Sequence, residues 1–226
     1  MGRVESEPEL TATSAPELLV SEDVAATAAE RVIALRPRTI ALAGGRTPRA
    51  LYERLAGADL PWASMALWFG DERCVAPEHR DSNARMAREA LLDHVPAEAH
   101  PMPGEACDAA GYERELRSAF GAHGADVPRF DLVLLGLGAD GHTASLFPGD
   151  PAIEERERLV ARVERPDYRR LTLTLPVLSA AAEALFLVTG ASKREALREL
   201  LDGGPIPAAR VRAGRVVVIA DREAAL

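Results

Sequence analysis

The sequence predicts an α/β fold, a doubly wound and mostly parallel sheet flanked by helices. Three observations predict it. Short apolar runs alternate with amphipathic stretches almost throughout, which is the pattern of repeated βα units. Several of those runs stop at glycine and pass directly into a helix start. The chain has 226 residues, 47% of them apolar. That is enough for one sizeable core, and no repeat or Pro/Gly/Ser linker divides it. Residues 1–226 therefore read as a single domain, with residues 1–20, acidic at their start, read as flexible.

Ser21, Glu22 and Asp23 open the first helix with carboxylates in its first turn. Val24, Ala25, Ala28, Ala29, Val32 and Ile33 recur at helical spacing as its buried face. Pro37 ends it, and 39–43 reads as a strand. Gly44, Gly45, Arg46 and Thr47 follow, with Thr47 as N-cap and Pro48 as first helical residue. A strand, paired glycines and a helix start together suit a phosphate, because backbone N–H groups and the positive helix end point at it. The same chemistry also serves an ordinary βα turn. A second strand over 65–69 ends in Gly70, Asp71, Glu72 and Arg73. On its own this segment reads as a solvated loop, although Asp71 and Arg73 are placed to face one pocket. Ser82 and Asn83 cap a further helix, and another runs from 106 to about 123.

The stretch from Phe130 to Pro148 organises the rest. Its apolar first half is a buried strand; Gly136 and Gly138 then break the pattern, and Asp140, Gly141 and His142 follow. This places a carboxylate and an imidazole at the carboxyl edge of a sheet, where open α/β sheets bind their ligands. Histidine suits proton transfer near neutral pH. Strands over 159–163, 171–175, 184–189 and 215–219 complete the sheet. The threonine alternation in 171–175 predicts a half-exposed edge, with Arg170 at its start. Gly190 opens the last phosphate-like turn, which carries Lys193. Every other basic residue in the chain is arginine, so Lys193 marks a place that needs a compact point charge.

Composition excludes several classes. A net charge of −8 argues against nucleic acid or an anionic membrane surface as partner. No apolar run approaches the roughly 20 residues that span a bilayer. Two cysteines are too few for a disulfide framework, so the default is a reducing cytoplasm, with Cys74 as inert packing. Size and surface charge suggest a monomer.

Taken together, Gly44-Gly-Arg-Thr-Pro48, Gly70-Asp-Glu-Arg73 with Ser82-Asn83, the run from Asp140 to Pro148, Arg170-Leu-Thr172 and Gly190-Ala-Ser-Lys193 resemble the 6-phosphogluconolactonases in kind and order. The resemblance runs from about residue 20 to the C-terminus. It implies a modified Rossmann-like fold shared with glucosamine-6-phosphate deaminases and ribose-5-phosphate isomerases. It also implies hydrolysis of 6-phospho-D-glucono-1,5-lactone, in the oxidative pentose phosphate pathway, with no metal and no cofactor. The catalytic residues it implies are His142, as general base on water, and Asp140, which orients it. Gly44, Gly45, Arg46, Thr47, Asp71, Arg73, Arg170 and Lys193 are the implied substrate-binding residues. One departure stands out: the family's phosphate loop carries serines where this chain has Ala43 and Arg46, so Arg46 either reaches the phosphate or turns to solvent. The rival readings are an amino-sugar phosphate deaminase or isomerase, and a sugar-phosphate sensor without catalysis. The deaminases follow Asp-Gly-His with a ring-opening glutamate; here the matching residue is Phe147.

Overall fold

The computed structural model describes residues 15–226. Its elements in chain order are β1 (Glu17–Val20), α1 (Val24–Leu35), β2 (Thr39–Leu42), α2 (Arg46–Leu55), β3 (Ala66–Phe69), β4 (Asp71–Arg73), α3 (Asn83–Ala90), β5 (Glu98–His100), α4 (Ala109–Phe120), β6 (Leu132–Gly136), β7 (Val160–Val163), β8 (Arg170–Leu173), α5 (Leu175–Ala180), β9 (Glu183–Val188), α6 (Arg194–Asp202), β10 (Arg215–Ala220) and α7 (Arg222–Ala225).

Seven strands form the main sheet in the order β1-β10-β9-β6-β2-β3-β5, and every pairing in it is parallel. From β2 the chain builds outward through β3 to β5; it then returns to the other side of β2 with β6 and builds through β9 and β10. The sheet therefore changes direction between β2 and β6. A crevice opens at such a switch point, outside the carboxyl ends of the strands. The inner strands are buried on both faces, and every residue of β9 is buried, which is why they read as unbroken apolar runs.

A second sheet, β4-β8-β7, is antiparallel and corrects two expectations. Asp71–Arg73 is a strand, not a solvated loop. Its Glu72 is buried and accepts hydrogen bonds from the Arg73, Asn83 and Ala84 amides and from Ser82 Oγ. Burial pushes this carboxyl above the ordinary range, against the pull of those four donors. The expected half-exposed strand is instead the middle strand β8, with Thr172 and Thr174 fully buried. Thr174 Oγ1 donates to the Arg158 carbonyl, so threonines stand there because their hydroxyls have partners.

Three further expectations change. Glu17–Val20, expected within a flexible segment, pairs with β10; residues 1–14 lie outside the described residues. Thr47 does not cap α2: the cap position is Gly45, at φ 110°, and Thr47 Oγ1 meets Thr189 Oγ1 at 3.0 Å. The cysteines, expected to be unpaired, are joined as Cys74–Cys107, with Cα atoms 5.1 Å apart and a sequence separation of 33. Close packing of the segments brings them there. A Cβ on Gly104 would stand 2.7 Å from the Arg73 carbonyl, an approach that only glycine allows.

Two tyrosines fix the strand ends that face the crevice. Tyr52 on α2 donates from its hydroxyl to the Ala43 carbonyl and accepts from the Ala43 amide. Tyr112 on α4 accepts from the Phe69 amide and donates to the His100 carbonyl. Burial pushes both phenols up, so both remain O–H donors. Each hydroxyl supplies what the neighbouring strand no longer does at the end of its ladder.

Candidate active site

Four turns at the carboxyl ends of β2, β3, β6 and β9 meet the start of β8 around one cleft of about 260 Å³. Its lining includes Gly44, Gly45, Asp71, Arg73, His142, Arg170 and Lys193. Seven of the ten residues expected from sequence are therefore brought together. Asp140 supports His142 from behind. Arg46 is exposed, lies outside the lining and makes no hydrogen bond or ion pair among the described residues; it turns to solvent. Thr47 is also outside the lining.

The imidazole is held at one nitrogen. His142 Nδ1 lies 2.5 Å from Asp140 Oδ1, which also accepts from the His142 amide. Burial raises the Asp140 carboxyl, but the side-chain and backbone hydrogen bonds from His142 outweigh it and hold it below the ordinary range. Asp140 is thus an acceptor for Nδ1–H, and in the neutral ring with that tautomer Nε2 carries the lone pair. Gly138 makes the arrangement possible. A Cβ there would stand 2.0 Å from His142 Nδ1 and 2.4 Å from Asp140 Oδ1.

The cationic part of the cleft is built across β4 and β8. Arg73 and Arg170 are direct cross-strand partners, an arrangement of like charges that ordinarily destabilises a sheet. Arg73 Nη1 donates to the Asp81 carbonyl and to Asn83 Oδ1, and Arg170 Nη2 pairs with Asp167 at 2.5 Å. The Nε of each is buried without a partner. Lys193 makes no ion pair among the described residues. Unsatisfied guanidinium donors beside an unpaired ammonium are the chemistry of an anion site.

Asn83 joins these parts, a role its sequence position as a helix start did not reveal. Its Nδ2 donates to the Asp71 carbonyl and, at 3.2 Å, to Asp71 Oδ1, while its Oδ1 accepts from Arg73. A Cβ on Gly44 would fall 2.0 Å from Asn83 Oδ1, so the loop after β2 rests directly on this amide. Ser145 Oγ donates to Asp71 Oδ2 at 2.7 Å. Asp71 is braced on both oxygens yet keeps acceptor capacity for a sugar hydroxyl. Nothing local in the sequence signals the Ser145 contact, which spans 74 residues.

Residues 13–219 match the family model described as glucosamine-6-phosphate isomerases/6-phosphogluconolactonase. The chain belongs to this family. A relative named 6-phosphogluconolactonase from Synechocystis sp. is 50% identical over 169 residues, covering 72% of this chain and 70% of the relative. A Bos taurus relative of the same name is 39% identical over 209 residues, covering 83% and 79%. Among solved structures, 6-phosphogluconolactonase from Trypanosoma cruzi superposes with a TM-score of 0.84 at 30% identity, covering 93% of this chain and 96% of that one. The family fold accounts for the switch-point cleft, and the site residues occupy the strand ends that such a fold uses for ligands.

Proposed function

We propose that this chain hydrolyses 6-phospho-D-glucono-1,5-lactone to 6-phospho-D-gluconate, with His142 as general base. One observation carries the reading: a single cleft holds an Asp140-supported imidazole together with three cations, of which Arg73 and Arg170 each keep an unpartnered Nε and Lys193 makes no ion pair among the described residues. A lactone is an activated ester, so the protein has to deprotonate water, receive charge on the carbonyl oxygen and hold the substrate still. His142 Nε2 takes a proton from water as its oxygen attacks the lactone carbonyl carbon. The tetrahedral anion then collapses, the bond to the ring oxygen breaks, and the imidazolium returns the proton to that oxygen. Atoms and charge balance without an added group.

Arg73, Arg170 and Lys193 hold the phosphate with the amides of Gly44 and Gly45, and Asp71 accepts from a sugar hydroxyl. The cations at a remote phosphate supply binding energy that orients the reacting carbon. Phe147 rather than a carboxylate stands beside His142, which favours water attack over the assisted ring opening of an amino-sugar deaminase. The enzyme is further taken to be a metal-independent monomer, while the Cys74–Cys107 disulfide removes the cysteine argument for a reducing cytoplasm. Among the described residues no group of three or more His, Cys, Asp or Glu is placed to hold a metal ion, and no helix is long and apolar enough to cross a membrane.

The test follows hydrolysis of freshly generated lactone against its spontaneous rate. Substituting His142→Asn is expected to lower kcat by about 10²–10⁴-fold, the usual contribution of a positioned base. A folded variant that loses less than about tenfold removes His142 from that role. A folded parent with no acceleration sinks the lactonase reading in favour of a sensor. Activity unchanged by chelators and a sedimentation value of one chain are expected alongside.

A further inference from the structure

One hydrogen bond fixes a point on an imidazole but not its plane. His142 is held at Nδ1 by Asp140, yet the Asp140 side chain is half exposed and His142 one-third exposed. The backbone bonds of the turn, Gly138 N–H to the His142 carbonyl and Ala208 N–H to the Gly141 carbonyl, set the main chain, and one hydrogen bond at Nδ1 still leaves the ring a coupled swing about its two side-chain torsions. The Phe147 ring lies against that imidazole, with centroids 4.5 Å apart and planes inclined by 37°. Phe147 is buried, only 6% exposed. The Arg165 guanidinium carbon sits 4.2 Å from its centroid, and that of Arg170 sits 5.4 Å from it. Cations at these distances are attracted to an aromatic face. Arg165 is exposed on the loop after β7 and makes no ion pair or hydrogen bond among the described residues; the ring is its one aromatic or polar engagement there.

We propose that Phe147 is a positioning residue for the reaction, its ring fixing the plane of the His142 imidazole and itself held by Arg165 and Arg170. The inference rests on His142 being the base. Phe147 touches the base and Arg170, a candidate phosphate ligand, so a single buried ring spans the two halves of the site. It connects the loop after β6 to the small sheet, which carries Arg170 on β8. Misplacing a reacting group by about 1 Å can cost on the order of 10²-fold in rate. A free imidazole ring would incur a loss of that kind without weakening the hold on the phosphate.

Steady-state kinetics on three variants of the full chain test this, with His142→Asn run in parallel. Phe147→Leu is expected to lower kcat by about 10–100-fold while KM stays within about threefold, as expected when an interaction matters only in the transition state. Phe147→Tyr, which keeps the ring, is expected to recover kcat to within about threefold of the parent. Arg165→Met, a change on an exposed loop that leaves the fold intact, is expected to lower kcat by about three- to tenfold with KM again unchanged. In NMR spectra of Phe147→Leu the His142 ring protons are expected to lose the shift imposed by the neighbouring aromatic. Unchanged kcat in folded Phe147→Leu overturns the proposal. So does a raised KM with unchanged kcat in Arg165→Met, which would make Arg165 a substrate ligand. If His142→Asn itself stays active, the base assignment fails and the positioning role of Phe147 is overturned with it; if His142→Asn loses activity while Phe147→Leu does not, the positioning role alone is overturned.

Discussion

Two of the places where this molecule gathers arginines are finished differently. At Glu113 on α4, one buried carboxylate lies between two guanidiniums. It accepts from Arg117 at 3.1–3.2 Å and from Arg158 at 2.8 Å, and it also takes the Leu159 amide. At Arg73 and Arg170 the guanidiniums are cross-strand neighbours, and both Nε groups lack a partner. The first cluster is complete in itself and ties α4 to β7. The second leaves two Nε donors over, which is why it is proposed to take an anion. A charge that the fold satisfies is architecture; a buried charge that it leaves unsatisfied is a place for a ligand.

Removing the cation and removing the carboxylate should therefore have opposite signatures. Arg170→Met is expected to lower kcat/KM by about 10–100-fold, the worth of a charge-assisted hydrogen bond, while unfolding free energy changes less than in Glu113→Ala, because the loss of the Asp167 pair is offset by relief of the like-charge contact with Arg73. A large stability loss with normal kinetics would erase the contrast. Glu113→Ala is expected to cost about 1–3 kcal/mol in urea unfolding and to leave kinetics unchanged, since both arginines stay partly hydrated.

Acid titration sharpens the same point. Burial raises the Glu113 carboxyl, but Arg158, Arg117 and the Leu159 amide hold it below its ordinary value of 4.5. A depressed carboxylate contributes stability that is full above its unfolded pKa and is lost as pH falls through the folded one. The parent should thus lose stability below about pH 4.5, and Glu113→Gln should flatten that decline. Equal slopes in the two proteins would show that Glu113 is not the group responsible. The smallest effect is expected at Arg46: Arg46→Ala should change KM by less than about twofold, because an exposed, unpaired side chain contributes little.

The main sheet was legible from sequence because its strands are doubly buried and end in glycine, so period and punctuation agree. Of the seven expected site residues that line the cleft, Gly44, Gly45, His142 and Lys193 were legible for the same reason, since they follow the ends of β2, β6 and β9. The small sheet was not legible. Asp71, Glu72 and Arg73 carry no apolar signal, and what buries them is a set of partners about ten to 100 residues away, namely Ser82, Asn83, Ser145 and Arg170. Cys74 and Cys107 gave no warning either, since two cysteines have no spacing to read. Arg46 and Thr47 were expected in the site because the loop chemistry was right, but their side chains leave the helix start in other directions. The contact of Arg165 with Phe147 depends on how a loop folds back, which no local pattern encodes.

The tyrosine clamps carry one more consequence. Because the ends of β2 and β3 are tied to hydroxyls on α2 and α4, the floor of the cleft cannot loosen unless a helix leaves the sheet. The Ala43 and Phe69 amides should then exchange with solvent only through openings of near-global free energy. Substrate and product would have to pass by way of surface loops above a floor that stays shut.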